Sequence, residues 1–144
     1  MEGAIYDCPA VWSEKLPPGV RALRTLEAPA GGEWDILALT RRGCGALGKA
    51  EVHCRILLSP GDSAPPVRAG TVITYGLSPR DSLTLSSLAE PVLCVQRSLP
   101  RPDGTVVEPQ ELPLPPLPGP AEALLPLLGL RLLLMPLTEP FELW

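Results

Sequence analysis

The stretch Ile56–Gly76, ILLSPGDSAPPVRAGTVITYG, holds the signals that decide the fold. With Arg55 before it, its opening reads as a buried strand over Arg55–Leu58, closed by the Pro60-Gly61 turn. SAPPVRAG, Ser63–Gly70, reads as a loop. Thr71–Gly76 is the clearest strand signal in the chain: β-branched, aromatic and stopped by glycine. Both strands run into the same kind of phrase, Ser59-Pro60-Gly61-Asp62-Ser63 and Ser78-Pro79-Arg80-Asp81-Ser82. In an open α/β sheet, ligands sit outside the carboxyl ends of the strands. If the two strands are parallel neighbours, Asp62, Tyr75, Ser78, Arg80 and Asp81 share that edge as a candidate ligand pocket. The same residues also satisfy plain turn chemistry, with Ser accepting, Pro fixing φ and Asp bonding its own backbone.

Outward from this stretch, short elements follow one another. Val20, Leu23 and Leu26 fall at helical spacing in VRALRTLEA, which predicts a short amphipathic helix ended by Ala30-Gly31-Gly32. Trp34–Thr40, WDILALT, is an apolar run of strand length, and Gly43–Val52 is ambiguous, with a weak helix favoured. In SLTLSS, Leu83 and Leu85 alternate with Ser82, Thr84 and Ser86, the period of a strand with one buried face. Val92–Leu99 and Thr105–Leu112 flank Pro-Arg-Pro-Asp-Gly as a hairpin, and Pro109 puts its second strand at a sheet edge. Leu112–Pro120, LPLPPLPGP, is an extended connector. AEALLPLLG reads as a short helix stopped by Gly129, and Leu130–Met135 as a final buried strand. The sum is a single small α/β domain over residues 1–144: a mixed β-sheet, an antiparallel meander and hairpin in its C-terminal half, and short covering helices.

Composition bounds what such a domain can do. The 144 residues suffice for one core. Aromatics make up only 4%, so that core is built of Leu, Val, Ile and Ala, and the 20 prolines cut the chain into short elements. A net charge of −4 gives no footprint for nucleic acid. Cys8, Cys44, Cys54 and Cys94 contain no C-x-x-C pair, and no metal site is expected; buried free thiols in a reducing compartment are the common reading. MEGAIYDCPAVW carries Glu2 and no basic-then-apolar run, so it does not read as a signal peptide, and a cytoplasmic protein is expected. Ala123–Leu137 is very apolar but is shorter than a membrane span and holds Pro126, Gly129, Arg131 and Pro136, which argues against a membrane anchor.

Gly43–Glu51, GCGALGKAE, fits both G-x-x-x-x-G-K and G-x-G-x-x-G, which makes Gly43, Gly45, Gly48 and Lys49 a candidate phosphate loop. Several features count against it. Thr40-Arg41-Arg42 intervenes after the strand, Ala50 replaces the hydroxyl that would hold Mg²⁺, and Asp62 lies too close to be a ribose-binding acid. A glycine-containing connector is the alternative. His53 sits beside Cys54, but neighbours on a strand diverge, so a half-buried structural histidine is expected rather than a Cys–His nucleophile. No catalytic residue and no cofactor emerge. Pro113–Pro118, PLPPLP, carries P-x-x-P twice and can serve as a stiff linker or as a polyproline ligand for a partner.

ILLSPGDSAPPVRAGTVITYGLSPRDSLTLSS, within residues 55–112, is similar to the distal part of the middle domain of the Mur ligases, ATP-dependent amide ligases of peptidoglycan synthesis. TVITYGLS, Thr71–Ser78, resembles that family's V-I-T-Y-G strand, and ILLSPGD, Ile56–Asp62, stands where the family has an Asn-Ala-Asp-Asp-Pro-like turn. PLPGPAEALLPLLG stands where the family has a glycine and then a helix. The family's Gly-Thr-x-Gly-Lys-Thr loop, its metal-binding Glu and His and its His-Asn pair are missing, so no catalytic residue carries over. The resemblance implies a shortened, non-catalytic bacterial relative that acts with a protein partner. A nucleotide or phosphate binder using Gly43–Lys49 and a polyproline-presenting protein are the alternatives.

Overall fold

The computed structural model of the chain describes residues 1–24, 33–47, 52–87, 89–136 and 144. Among these residues, ten strands and two α-helices follow one another: β1 (Gly3–Tyr6), β2 (Val20–Leu23), β3 (Glu33–Leu39), α1 (Arg41–Ala46), β4 (Val52–Pro60), β5 (Val67–Tyr75), β6 (Leu83–Leu85), β7 (Val92–Val95), β8 (Leu99–Pro100), β9 (Val106–Val107), β10 (Gln110–Pro113) and α2 (Ala121–Leu134). A 3₁₀ turn, Ala10–Lys15, links β1 to β2. Eight strands form one mixed sheet in the order β10-β7-β6-β5-β4-β3-β1-β2, and β8 and β9 form a small antiparallel pair. From β2 to β6 all neighbours are parallel; β7 is antiparallel to both β6 and β10. This is the expected α/β mixed sheet with an antiparallel C-terminal half.

The two strands of the deciding stretch are indeed parallel neighbours, with Ile56 opposite Thr71 and Pro60 opposite Tyr75. The link between them is only 61–66, half of what a parallel crossover ordinarily takes, so it has no room for a helix. Part of the expected loop is strand instead: Val67–Gly70 belongs to β5, and Val67–Ala69 already pairs with β4. Its alternating half-buried and exposed residues hid that, because Gly70 in the middle looks like a stop.

A line of irregular positions crosses the sheet. The amides of Asp35 and Ile36 both approach the carbonyl of Glu2, at 2.8 and 3.4 Å, so two residues of β3 oppose one of β1. That is a bulge, and it switches faces. Trp34 packs with Leu37 and Leu39 on one side, while Ile36 and Ala38 pack on the other. The ladders skip Arg55 between Cys54 and Ile56, and Gly70 between Ala69 and Thr71, in the same way. Asp35 and Arg55 meet at the irregularity as an ion pair at 3.3 Å.

One face of the sheet is covered by α2. Leu125, Leu127, Leu128, Leu130 and Leu132 are fully buried there, against Ile36, Ile56, Leu58, Ile73 and Leu83. Each such leucine stabilises by roughly 1.5–3 kcal/mol relative to exposure. A helix apolar on all sides is a buried helix. Arg101, from the β8–β9 hairpin, closes its far end, with Nε donating to the Leu133 carbonyl at 2.8 Å and Nη2 to that of Met135. The opposite face holds a second cluster, Ala4, Tyr6, Trp34, Leu37, Leu39, Cys44, Leu47, Val52 and Leu57.

Three expectations are corrected. Val20–Leu23 is an edge strand beside β1, not the start of a helix; the Leu26 and Ala30–Gly32 part of that expectation lies outside the described residues. Gly129 does not stop α2, and Leu130–Leu134 is helix, not strand. A Cβ on Gly129 would come within 2.7 Å of Leu58 Cδ2, so the glycine lets helix and sheet approach closely. The third concerns β6, where Thr84 is buried too, so the strand is not polar on one side. The hairpin forms in two pieces, β8–β9 and β7–β10, broken around Pro109, and β10 is a sheet edge as expected. Among the described residues, no helix is long and apolar enough to cross a membrane.

Candidate functional site

The carboxyl ends of β1, β3 and β5 open into a cleft of about 740 Å³, closed on its far side by the first turns of α2. Thr40 ends β3 and builds one wall. Its Oγ1 caps α1 by accepting from Gly43 N at 3.0 Å, and its hydroxyl meets the carbonyls of Tyr6 and Asp7 at 3.3 and 3.1 Å. That stitches β1 to the β3–α1 corner. Asp7 turns the chain out of β1 with φ 60°, a left-handed conformation that Asp tolerates better than most residues.

Two arginines stand at the lip, and they are used differently. Arg42 grips Asp7 with Nε and Nη2, at 2.5 and 2.7 Å, and this bond holds the Asp7 carboxyl below its usual range. Arg41 gives only Nη1, to both oxygens of Asp62, at 2.8 and 2.7 Å. The Asp62 carboxyl is lowered chiefly by that bond. Tyr75 lines the floor and donates its phenol to the Leu39 carbonyl at 2.6 Å, and burial pushes the phenol up. Trp12, Pro9, Pro120 and Pro126 supply apolar wall, with exposed Glu122 opposite the arginines.

The two echoing turns do share the edge. Gly61 N donates to the Tyr75 carbonyl at 3.0 Å, and the buried Asp81 carboxylate packs against Gly61 so closely that a Cβ there would collide with it. Of the five expected pocket residues, Tyr75 lines the cleft, Asp62 borders it through Arg41, and Asp81 stands behind the two loops. Ser78 and Arg80 are exposed and outside the lining. Their turn is held by Ser78 N to Asp81 Oδ2 at 3.1 Å, Arg80 N to Ser78 Oγ at 3.2 Å and Asp81 N to the Ser78 carbonyl at 3.0 Å. Turn chemistry accounts for them.

The glycine motif takes another shape. Helix α1 starts at Arg41, directly after the capped strand, so Gly43 and Gly45 lie inside a helical turn. The amides of Gly43 and Cys44 are taken by Thr40, through Oγ1 and the carbonyl. Gly48 and Lys49 lie outside the described residues. His53 is exposed at the start of β4, not half-buried. All four cysteines are free, with Cys8 and Cys44 buried. Among the described residues no three His, Cys, Asp or Glu side chains gather as metal ligands.

No known protein family, no curated protein and no solved structure matches the chain. Asp7, Trp12, Thr40, Arg41, Arg42 and Glu122 were not singled out from sequence as a site. The one signal was Thr40-Arg41-Arg42, the insertion that spoils the phosphate-loop spacing and turns out to be the lip of the cleft.

Proposed function

We propose that this chain is a non-catalytic binding module of the bacterial cytoplasm, related to the distal part of the Mur ligase middle domain, that acts with a protein partner. Its working surface is the cleft above β1, β3 and β5. The observation that carries the reading is position: a roomy cleft at the carboxyl edge of a parallel sheet, where open α/β sheets bind their ligands. The Mur likeness is supported by element order. A strand ending in the Ser-Pro-Gly-Asp turn is followed by the V-I-T-Y-G strand, an antiparallel pair, a hairpin, and then Gly119 and a helix. Four free thiols suit a reducing compartment.

The test is a mixed set of small fragments titrated against ¹⁵N-labelled protein. Shifts gathering on Asp7, Thr40, Arg41 and Ala123 are expected; shifts gathering elsewhere, or none, overturn the reading. The nucleotide alternative predicts that ATP with Mg²⁺ raises the melting temperature by ligand linkage, whereas the binding-module reading predicts no shift at millimolar nucleotide. The amides occupied by Thr40 favour the second outcome. A polyproline role for Pro113–Pro118 has less support, since Leu114 and Leu117 of that segment pack against the core.

A further inference from the structure

We propose that the cleft takes a small organic oxyanion, a carboxylate or a phosphate ester on an apolar body, and that Arg41 is the group that holds it. The proposal rests on the binding-module reading and names the ligand class. Arg41 spends only Nη1 on Asp62; its Nε and Nη2 have no partner among the described residues. These two are one edge of the planar fork that matches a carboxylate or phosphate. Arg42 has no such edge to offer, because both Nε and Nη2 are on Asp7.

The occupant of Arg41 is also replaceable. Asp62 sits on the short β4–β5 link, and its side chain is 68% exposed, against 49% for Arg41. Exposed ion pairs are weak, so Asp62 holds Arg41 only loosely and leaves the guanidinium open to an incoming oxyanion. Inside the cleft, Trp12 and Tyr75 with Pro9, Pro120 and Pro126 offer apolar surface and few polar groups, which suits a carbon body. Glu122 across the cleft and Asp7 behind Arg42 disfavour further negative charge, so the anionic group belongs at the Arg41 end only.

The experiment uses the full chain at low ionic strength, where such contacts are least screened. Phenyl phosphate, benzoate, phenol and inorganic phosphate are titrated separately, following backbone amides and the Arg41 Nε–H by NMR. Phenyl phosphate or benzoate is expected to bind at least tenfold more tightly than phenol, and the comparison of those two tells phosphate ester from carboxylate. Arg41→Gln is expected to erase the preference. Asp62→Asn, which frees Arg41 from its competitor, is expected to tighten anion binding by about two- to fivefold; a purely structural ion pair would give the opposite or no change. Circular dichroism checks the fold, and if Arg41→Gln does not fold, Asp62→Asn still decides. Phenol binding as well as the anions, or Asp62→Asn leaving binding unchanged or weaker, overturns the proposal while the binding module stands. Inorganic phosphate binding as tightly as phenyl phosphate overturns the apolar-body part. Binding of none of the four in the cleft overturns the proposal as well, and the fragment screen then judges the module.

Discussion

Tyr75 shows how one side chain ties fold to site. Its ring fills the core beneath α2, and its phenol ends on the Leu39 carbonyl at 2.6 Å, at the point where β3 gives way to Thr40. Replacing it by Phe leaves that buried carbonyl without its donor, so Tyr75→Phe is expected to lower the unfolding free energy by about 1–2 kcal/mol in urea melts. Alkali provides a second reading. Burial raises the phenol above its ordinary value of 10.0, so the folded state favours the neutral form. The stability gained is complete below pH 10 and is lost as pH rises above it, and Tyr75→Phe should flatten that decline. The sequence marked Tyr75, Asp62 and Asp81 because each stands in or beside a turn phrase at a strand end. It could not mark Asp7 or Arg41, because their partners, Arg42 and Asp62, lie 35 and 21 residues away, and no local pattern encodes that.

Among the elements, the strands with distinctive chemistry were legible and the uniform ones were not. Trp34–Thr40, Arg55–Leu58 and Thr71–Gly76 are apolar, β-rich and bounded by turns, and they fall in strands except for Thr40 and Gly76, which stand just past the strand ends. Val20–Leu23 is too short for a period of three to be told from a period of two, and pairing with β1 decides it. The run Ala123–Leu134 is apolar except for Arg131 and carries no clear period, so only the missing partner strand and the sheet face awaiting cover make it a helix. Gly129 misled for a physical reason. A glycine in this position looks like a terminus, but here it makes room for Leu58 and Leu83. Gly129→Val is accordingly expected to destabilise by about 2 kcal/mol through overpacking, despite a better helix propensity, as read from the urea midpoint.

At the scale of the whole molecule, the two apolar clusters share the same strands. β3 gives Ile36 and Ala38 to one side and Leu37 and Leu39 to the other, and β4 divides Ile56 and Leu58 from Leu57 likewise. Neither side can lose its packing without moving the backbone of both. Trp12 reports on the first cluster and Trp34 on the second, so in two variants that lack Trp144 and each keep one of them, the fluorescence midpoint in urea should coincide with the circular-dichroism midpoint of the same variant. Separated midpoints would mean that the two faces melt independently. The placement of α2 also has a bearing on synthesis. The ten described strands are all synthesised before the helix that covers one face of their sheet. Until then Ile36, Ile56 and Ile73 face water on a sheet without its cover, and the nascent chain must be kept from sticking to its neighbours by speed or by a chaperone.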